Sequence, residues 1–137
     1  MRILIVYFVL LSKLFSADQR LPLVQWEGII GIKHYSWRLV SSALAGVKDW
    51  VPDEGNNPST SLVQSIEYAQ NELKRHVGVN IKKWRISRID LNRIPTTQKW
   101  IYKIEFSYAG ELNGLTLPVT IGVIATGKAI PLEAAKK

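Results

Sequence analysis

The chain has 137 residues and a formal net charge of +7, a length that predicts one globular domain with a single core. It contains no cysteine, so disulfide bridges, zinc–thiolate sites and a cysteine nucleophile are excluded. Its two histidines do not lie in a spacing typical of metal ligands, and we expect neither a metal nor a cofactor.

The N-terminal segment, residues 1–17, has the pattern of an export signal. Arg2 gives it a positive start, residues 3–11 form an apolar run, and Ser16–Ala17 offers small residues for cleavage. The apolar run is shorter than the roughly 20 residues that a membrane span needs, which favours a cleaved signal over a retained anchor. The sequence therefore predicts an exported chain, periplasmic or secreted, with residues 18–137 as one domain.

The region before the central loop is the hardest to interpret. Residues 26–33 are rich in isoleucine and predict a short strand. The next segment fits two patterns, because short apolar runs satisfy both periods. The small residues after Val40 favour a helix over 38–47, and residues 52–60 have the composition of a loop. The two competing sets of apolar positions are Tyr35, Leu39, Ala43 and Val47 for a helix, and Tyr35, Trp37 and Leu39 for a strand.

A helix is predicted over 61–77. Ser61 and Gln64 have the spacing of a capping box. Three basic or titratable residues occupy the last turn, where the helix dipole favours positive charge, and Gly78 follows as a cap. The apolar positions that form one stripe along this helix are Leu62, Ile66, Ala69, Leu73 and Val77.

Three strands are predicted after the helix. In residues 100–108 every even position is apolar, which is typical of a strand with one buried face. Residues 84–91 change parity near Ser87, which indicates a bulge. Residues 115–123 alternate in the same way, and Pro118 within them predicts an edge strand or a second bulge.

These elements predict an α+β fold in which one long helix packs on a curled antiparallel meander. The arrangement resembles the cystatin-like and nuclear-transport-factor-like folds. The hairpin at residues 94–98 reads Ile-Pro-Thr-Thr-Gln where cystatin inhibitors carry Gln-x-Val-x-Gly. Residues 111–114 read Glu-Leu-Asn-Gly where that family has Pro-Trp. The resemblance therefore implies an architecture, and no functional residue of the family is carried over.

A cluster of bases is the strongest functional signal. Nine lysines and arginines lie between Lys74 and Lys103, with Asp90 as the single acid. Strand parity predicts that four of the bases share the outward face of the sheet, where their field attracts anionic partners. We expect these four to be the ligand-binding residues: Lys83, Arg85, Lys99 and Lys103.

The predicted function is that of a small exported binding module whose basic sheet face meets an anionic lipid head group, glycan or acidic protein. Nucleic acid is disfavoured, because the aromatic residues have the buried parity and do not alternate with the bases. Two alternatives are an isomerase- or cyclase-type pocket enzyme and an inhibitor of cysteine proteases. The first three tryptophans, at 26, 37 and 50, are predicted either in the core or along a groove.

Overall fold

The computed structural model describes residues 22–110, 117–124 and 128–134. This part of the chain holds one α-helix and two antiparallel sheets, in the orders β1-β2-β7 and β3-β4-β5-β6, so the fold class is α+β. The predicted export segment lies outside the described residues. The elements are β1 (Val24–Ile30), β2 (Lys33–Leu39), α1 (Leu62–Val77), β3 (Trp84–Arg93), β4 (Trp100–Tyr108), β5 (Val119–Ile124), β6 (Lys128–Ala129) and β7 (Glu133–Ala134).

The helix begins and ends as the sequence predicts. The Ser61 hydroxyl accepts a hydrogen bond from the Gln64 backbone N–H, and the Gln64 side chain accepts one from the Ser61 N–H. Gly78 follows the last turn with a positive φ of 58°. The predicted stripe faces the core except at its start: Ala69 and Leu73 are buried and Ile66 and Val77 pack against the core, while Leu62 is exposed. The buried helical residues are Ser65, Ala69, Glu72 and Leu73.

The predicted strands are confirmed, with differences at the third. The β3–β4 register shifts between Ile86 and Arg88, which is the expected bulge, and Ile104 and Phe106 of β4 are buried. β5 begins at Val119, one residue after Pro118, so the proline interrupts no ladder. β6 pairs with the far end of β5, and the prediction that the third strand is an edge is wrong there. Residues 111–116 lie outside the described part.

The middle of the second sheet is covered on both faces. The hydroxyl of Tyr102 reaches the Thr60 carbonyl just before the helix, which places the helix on the Tyr102 face. Trp37 of the other sheet donates from Nε1 to the Thr120 carbonyl at 2.8 Å. A Cβ at Gly122 would lie only 3.1 Å from the Trp37 ring. Because both faces are packed, Gly122 and its neighbours in β5 are buried at consecutive positions.

The helix predicted over 38–47 is wrong. β2 continues to Leu39, and only a short 3₁₀ helix follows, over Ser41–Leu44. Tyr35, Trp37 and Leu39 are all buried, so the strand alternation was the correct interpretation. Burial of these alternate side chains against the rest of the core outweighs the weak local preference for helix.

The end of the helix is held by a buried carboxylate. Glu72 Oε1 accepts the Leu132 backbone N–H at 2.8 Å. The same oxygen lies 3.1 Å from His76 Nε2, and the His76 ring packs edge-to-face on Tyr35 at 5.0 Å between centroids. The last turns of α1 are thereby fixed against β2 and against the segment that leads into β7.

Candidate functional site

The structure places Lys83 and Arg85 at one end of the second sheet. Lys83 ends a 3₁₀ helix over Gly78–Lys83, and its carbonyl accepts the Ala109 N–H at 2.6 Å. Arg85 is the second residue of β3 and lies opposite Ser107. Its guanidinium donates to the Lys82 carbonyl at 2.6 Å. Both basic side chains are exposed, and neither forms an ion pair within the described residues.

Lys99 lies at the opposite end of the sheet. It precedes β4, which runs from Trp100 to Tyr108, so the whole length of that strand separates it from Lys83. Its ammonium donates to the Val47 carbonyl at 2.6 Å and to Asp49 Oδ1 at 2.7 Å. Lys99 therefore anchors the loop after β2. Lys83 and Lys99 therefore lie at opposite ends of the sheet, and the four predicted bases do not form one contiguous patch.

Lys103 lies in a cross-strand row of alternating charge. It faces Asp90 of β3 and Gly122 of β5, while the neighbouring Glu105 faces Arg88 and Thr120. Directly opposed residues of an antiparallel pair share a face, so these side chains form one polar surface. Two contacts order this surface. Arg88 Nε lies 2.8 Å from Asp90 Oδ2, and the Ser87 hydroxyl donates to Glu105 at 2.7 Å.

The polar surface and the first sheet enclose a small cleft. Trp26 and Trp37 form its apolar wall, the Lys103 row forms its floor, and its volume is about 130 Å³. Lys103 is half-buried and makes no hydrogen bond or ion pair with any described residue. A cavity of about 150 Å³ is large enough for a benzene ring. The cleft can therefore take one compact group, with a free ammonium as its hydrogen-bond donor.

Trp26 and Trp37 take the predicted core and groove positions, and Trp50 takes neither. Trp37 is buried and also lines the cleft, and the half-buried Trp26 lines it as well. Trp50 lies elsewhere, where it packs edge-to-face on Trp100 at 5.1 Å between centroids. The Trp100 indole N–H donates to the Trp50 carbonyl at 2.9 Å, so this pair fastens the loop before the helix to β4.

A second group of bases forms an exposed surface that we call the basic strip. It covers the end of the 3₁₀ helix and the first half of the edge strand β3, where residues 82–88 contain no acid. The basic strip consists of Lys82, Lys83, Arg85 and Arg88. Two of its members, Lys82 and Arg88, were not among the predicted site residues, although the sequence shows them in the same acid-poor run. Arg93 is also exposed, but it lies opposite Trp100 and therefore on the other face of the sheet.

Neither a metal-ligand cluster nor a membrane-spanning helix is found in the described part of the chain. Within it, no group of three or more histidine, aspartate or glutamate side chains could hold a metal ion. The single α-helix there is too short and too polar to cross a bilayer. No protein-family model, curated protein or solved structure matches the chain.

Proposed function

We propose that this chain is a small exported binding module that holds an anionic partner on the basic strip. One observation supports the proposal: residues 78–88 carry four exposed bases and no acid. Such a surface produces a positive field that attracts anions before contact. Lys83 and Arg85, the two predicted site residues in the strip, form no ion pair within the described residues.

The proposal includes a cystatin-like arrangement, in which a single helix is clasped by a curled meander. The contacts of α1 with β4, β5 and β6 support it. So does the bulge between Ile86 and Arg88, because a bulge bends its strand and increases the local twist.

A salt series on immobilised heparin tests the basic strip. Reversing two charges in Lys83→Glu/Arg85→Glu should weaken binding roughly tenfold at low salt, and the difference should shrink as salt screens the field. Lys48→Glu/Lys128→Glu is the matched control, because it makes the same charge change at two exposed lysines outside the strip. If both double variants elute at the same salt concentration, net charge alone explains retention and the strip has no special role.

A second candidate function is capture of one small anionic ligand in the inter-sheet cleft. The Lys103 ammonium, which has no partner among the described residues, lies beside two indole rings and favours it. The two carboxylates of the lining are engaged by other residues, Asp90 by Arg88 and Glu105 by Ser87. Titration with acetate and then benzoate, followed by tryptophan emission, tests this function. Saturable quenching that Lys103→Met removes would support it, whereas identical titrations of the two proteins would exclude the cleft.

A further inference from the structure

Two aliphatic side chains project almost fully into solvent. Ile32 is 95% exposed in the turn between β1 and β2, and Val79 is 86% exposed in the 3₁₀ helix after α1. Each follows a glycine with a positive φ, Gly31 at 64° and Gly78 at 58°. Other side chains rarely adopt that backbone conformation, so both turns hold their aliphatic residue at a defined tip.

The two tips lie at the same end of the molecule. Along α1, Glu72 contacts Leu132 and the later His76 contacts Tyr35. Leu132 precedes β7, which pairs antiparallel with β2 through Tyr35 and Ser36. Moving towards the C-terminal end of the helix therefore means moving towards the start of β2. The C-terminal end of α1 and the β1–β2 turn therefore lie at the same end of the molecule. Val79 is three residues after His76 and Ile32 three residues before Tyr35, so each tip lies roughly 10 Å or less from the contact between those two rings.

The chain segments around both tips carry bases and no acid. Residues 28–48 contain no aspartate or glutamate, and neither do residues 73–89. Five exposed bases border the tips and continue into the basic strip. They are Lys33, Lys74, Arg75, Lys82 and Lys83.

We infer that this end of the molecule docks on an anionic lipid bilayer, with Ile32 and Val79 entering the interface between head groups and acyl chains. The inference rests on the proposed function and names its partner. An anionic bilayer has negatively charged head groups above an apolar acyl layer. The bases can contact the head groups while the aliphatic tips enter the acyl layer. A glycan offers the negative charge without an apolar layer, and it would leave both tips in water.

The opposite end of the helix provides a matched control. Val63 lies in the first turn of α1 and is 75% exposed, so it is an aliphatic residue of comparable exposure. The loop before α1 and the first turn of the helix, residues 52–65, contain no lysine or arginine. If exposed apolar area alone drove insertion into the bilayer, Val63 would insert as readily as Ile32 and Val79.

The absence of native cysteine permits a direct depth measurement. Single cysteines are introduced as Ile32→Cys, Val79→Cys and Val63→Cys in the full chain, and each is labelled with an environment-sensitive nitrobenzoxadiazole dye. Vesicles of phosphatidylcholine with 30% phosphatidylglycerol serve as the anionic surface, and pure phosphatidylcholine vesicles as the neutral one. We expect a blue shift and a rise in emission at 32 and 79 on anionic vesicles only, with no change at 63.

Unlabelled variants measure the contribution to binding. Ile32→Ser and Val79→Ser should each weaken partitioning onto anionic vesicles about tenfold, since each loses part of the transfer free energy of an aliphatic side chain. Val63→Ser should leave partitioning unchanged. All comparisons are between variants of the same full chain, so any binding by other segments cancels.

The outcomes separate this inference from the proposed function. If the protein binds heparin and vesicles through the basic strip but the labels at 32 and 79 stay in water, the tips do not insert and the inference is overturned while the proposed function stands. If the Lys83→Glu/Arg85→Glu variant binds heparin and vesicles as the native chain does, the proposed function fails. Equal responses at 32, 79 and 63 would overturn the inference as well, because they would show adsorption without orientation.

Discussion

Removing the buried carboxylate of Glu72 should loosen the attachment of the C-terminal strands. The Glu72 side chain is 6% exposed and accepts three hydrogen bonds, from the Leu132 backbone, from His76 and from Arg75. We expect Glu72→Ala to lower the free energy of unfolding by about 3 kcal/mol. We expect Glu72→Gln to lower it by about 1 kcal/mol, because the amide oxygen can still accept from Leu132 and His76, and the contact that is lost is the one with the exposed Arg75.

The backbone contact accounts for most of this loss. Leu132 is buried and its N–H has the Glu72 oxygen as its partner at 2.8 Å, so the alanine variant leaves a buried donor unsatisfied, at a cost of about 1–3 kcal/mol. Arg75 contributes little, since its side chain is 72% exposed and exposed ion pairs are screened by solvent. The remainder comes from the covered stem of the glutamate and from the loss of its bond to His76.

Urea unfolding followed by tryptophan emission measures the effect, and hydrogen exchange of the Leu132 amide locates it. Glu67→Ala is the control on the exposed face of the same helix and should change stability by less than about 0.5 kcal/mol. If Glu72→Ala falls within that same range, or if the Leu132 amide keeps its protection, the carboxylate does not hold these strands and the reasoning is refuted.

Three further changes test the packing. Gly122→Ala should cost about 1–2 kcal/mol, because the added methyl group would lie 2.9 Å from Ile130 Cδ1, 3.0 Å from Ile101 Cδ1 and 3.1 Å from the Trp37 ring. A stability equal to the native value in urea would show that these side chains can move aside. Ser61→Ala should cost about 1 kcal/mol, and a double-mutant cycle with Gln64→Ala should show coupling between the two side chains of the capping box; strictly additive losses would contradict the box. Burial raises the pKa of Tyr102 above its ordinary value near 10, so the unfolded chain loses this proton first and stability falls as pH rises through about 10. Tyr102→Phe should remove part of that alkaline loss in melts between pH 8 and 11, and parallel curves for the two proteins would count against it.

Local signals in the sequence determined the helix, the strands that follow it and the bulge in the first of those strands. The capping box of Ser61 and Gln64, the change of period after the helix and the parity slip near Ser87 each depend on a few neighbouring residues. All three appear in the structure. Such signals work because caps and strand alternation are satisfied within one or two turns of chain. The acid-poor run of bases was equally visible, since charge composition needs no fold to be counted.

The tertiary structure alone decided which of those bases share a surface. Lys99 and Lys103 have the same strand parity, but their surroundings differ. Lys99 pairs with Asp49, which lies 50 residues away in the sequence, whereas Lys103 is partly covered by the sheet that contains β1 and β2. Likewise, the positions of Tyr35 and Leu39 in the sequence fit both helical and strand periodicity, and their burial in the core shows that they lie in a strand. Pairing between distant segments depends on where whole elements pack, and a sequence window cannot contain that information.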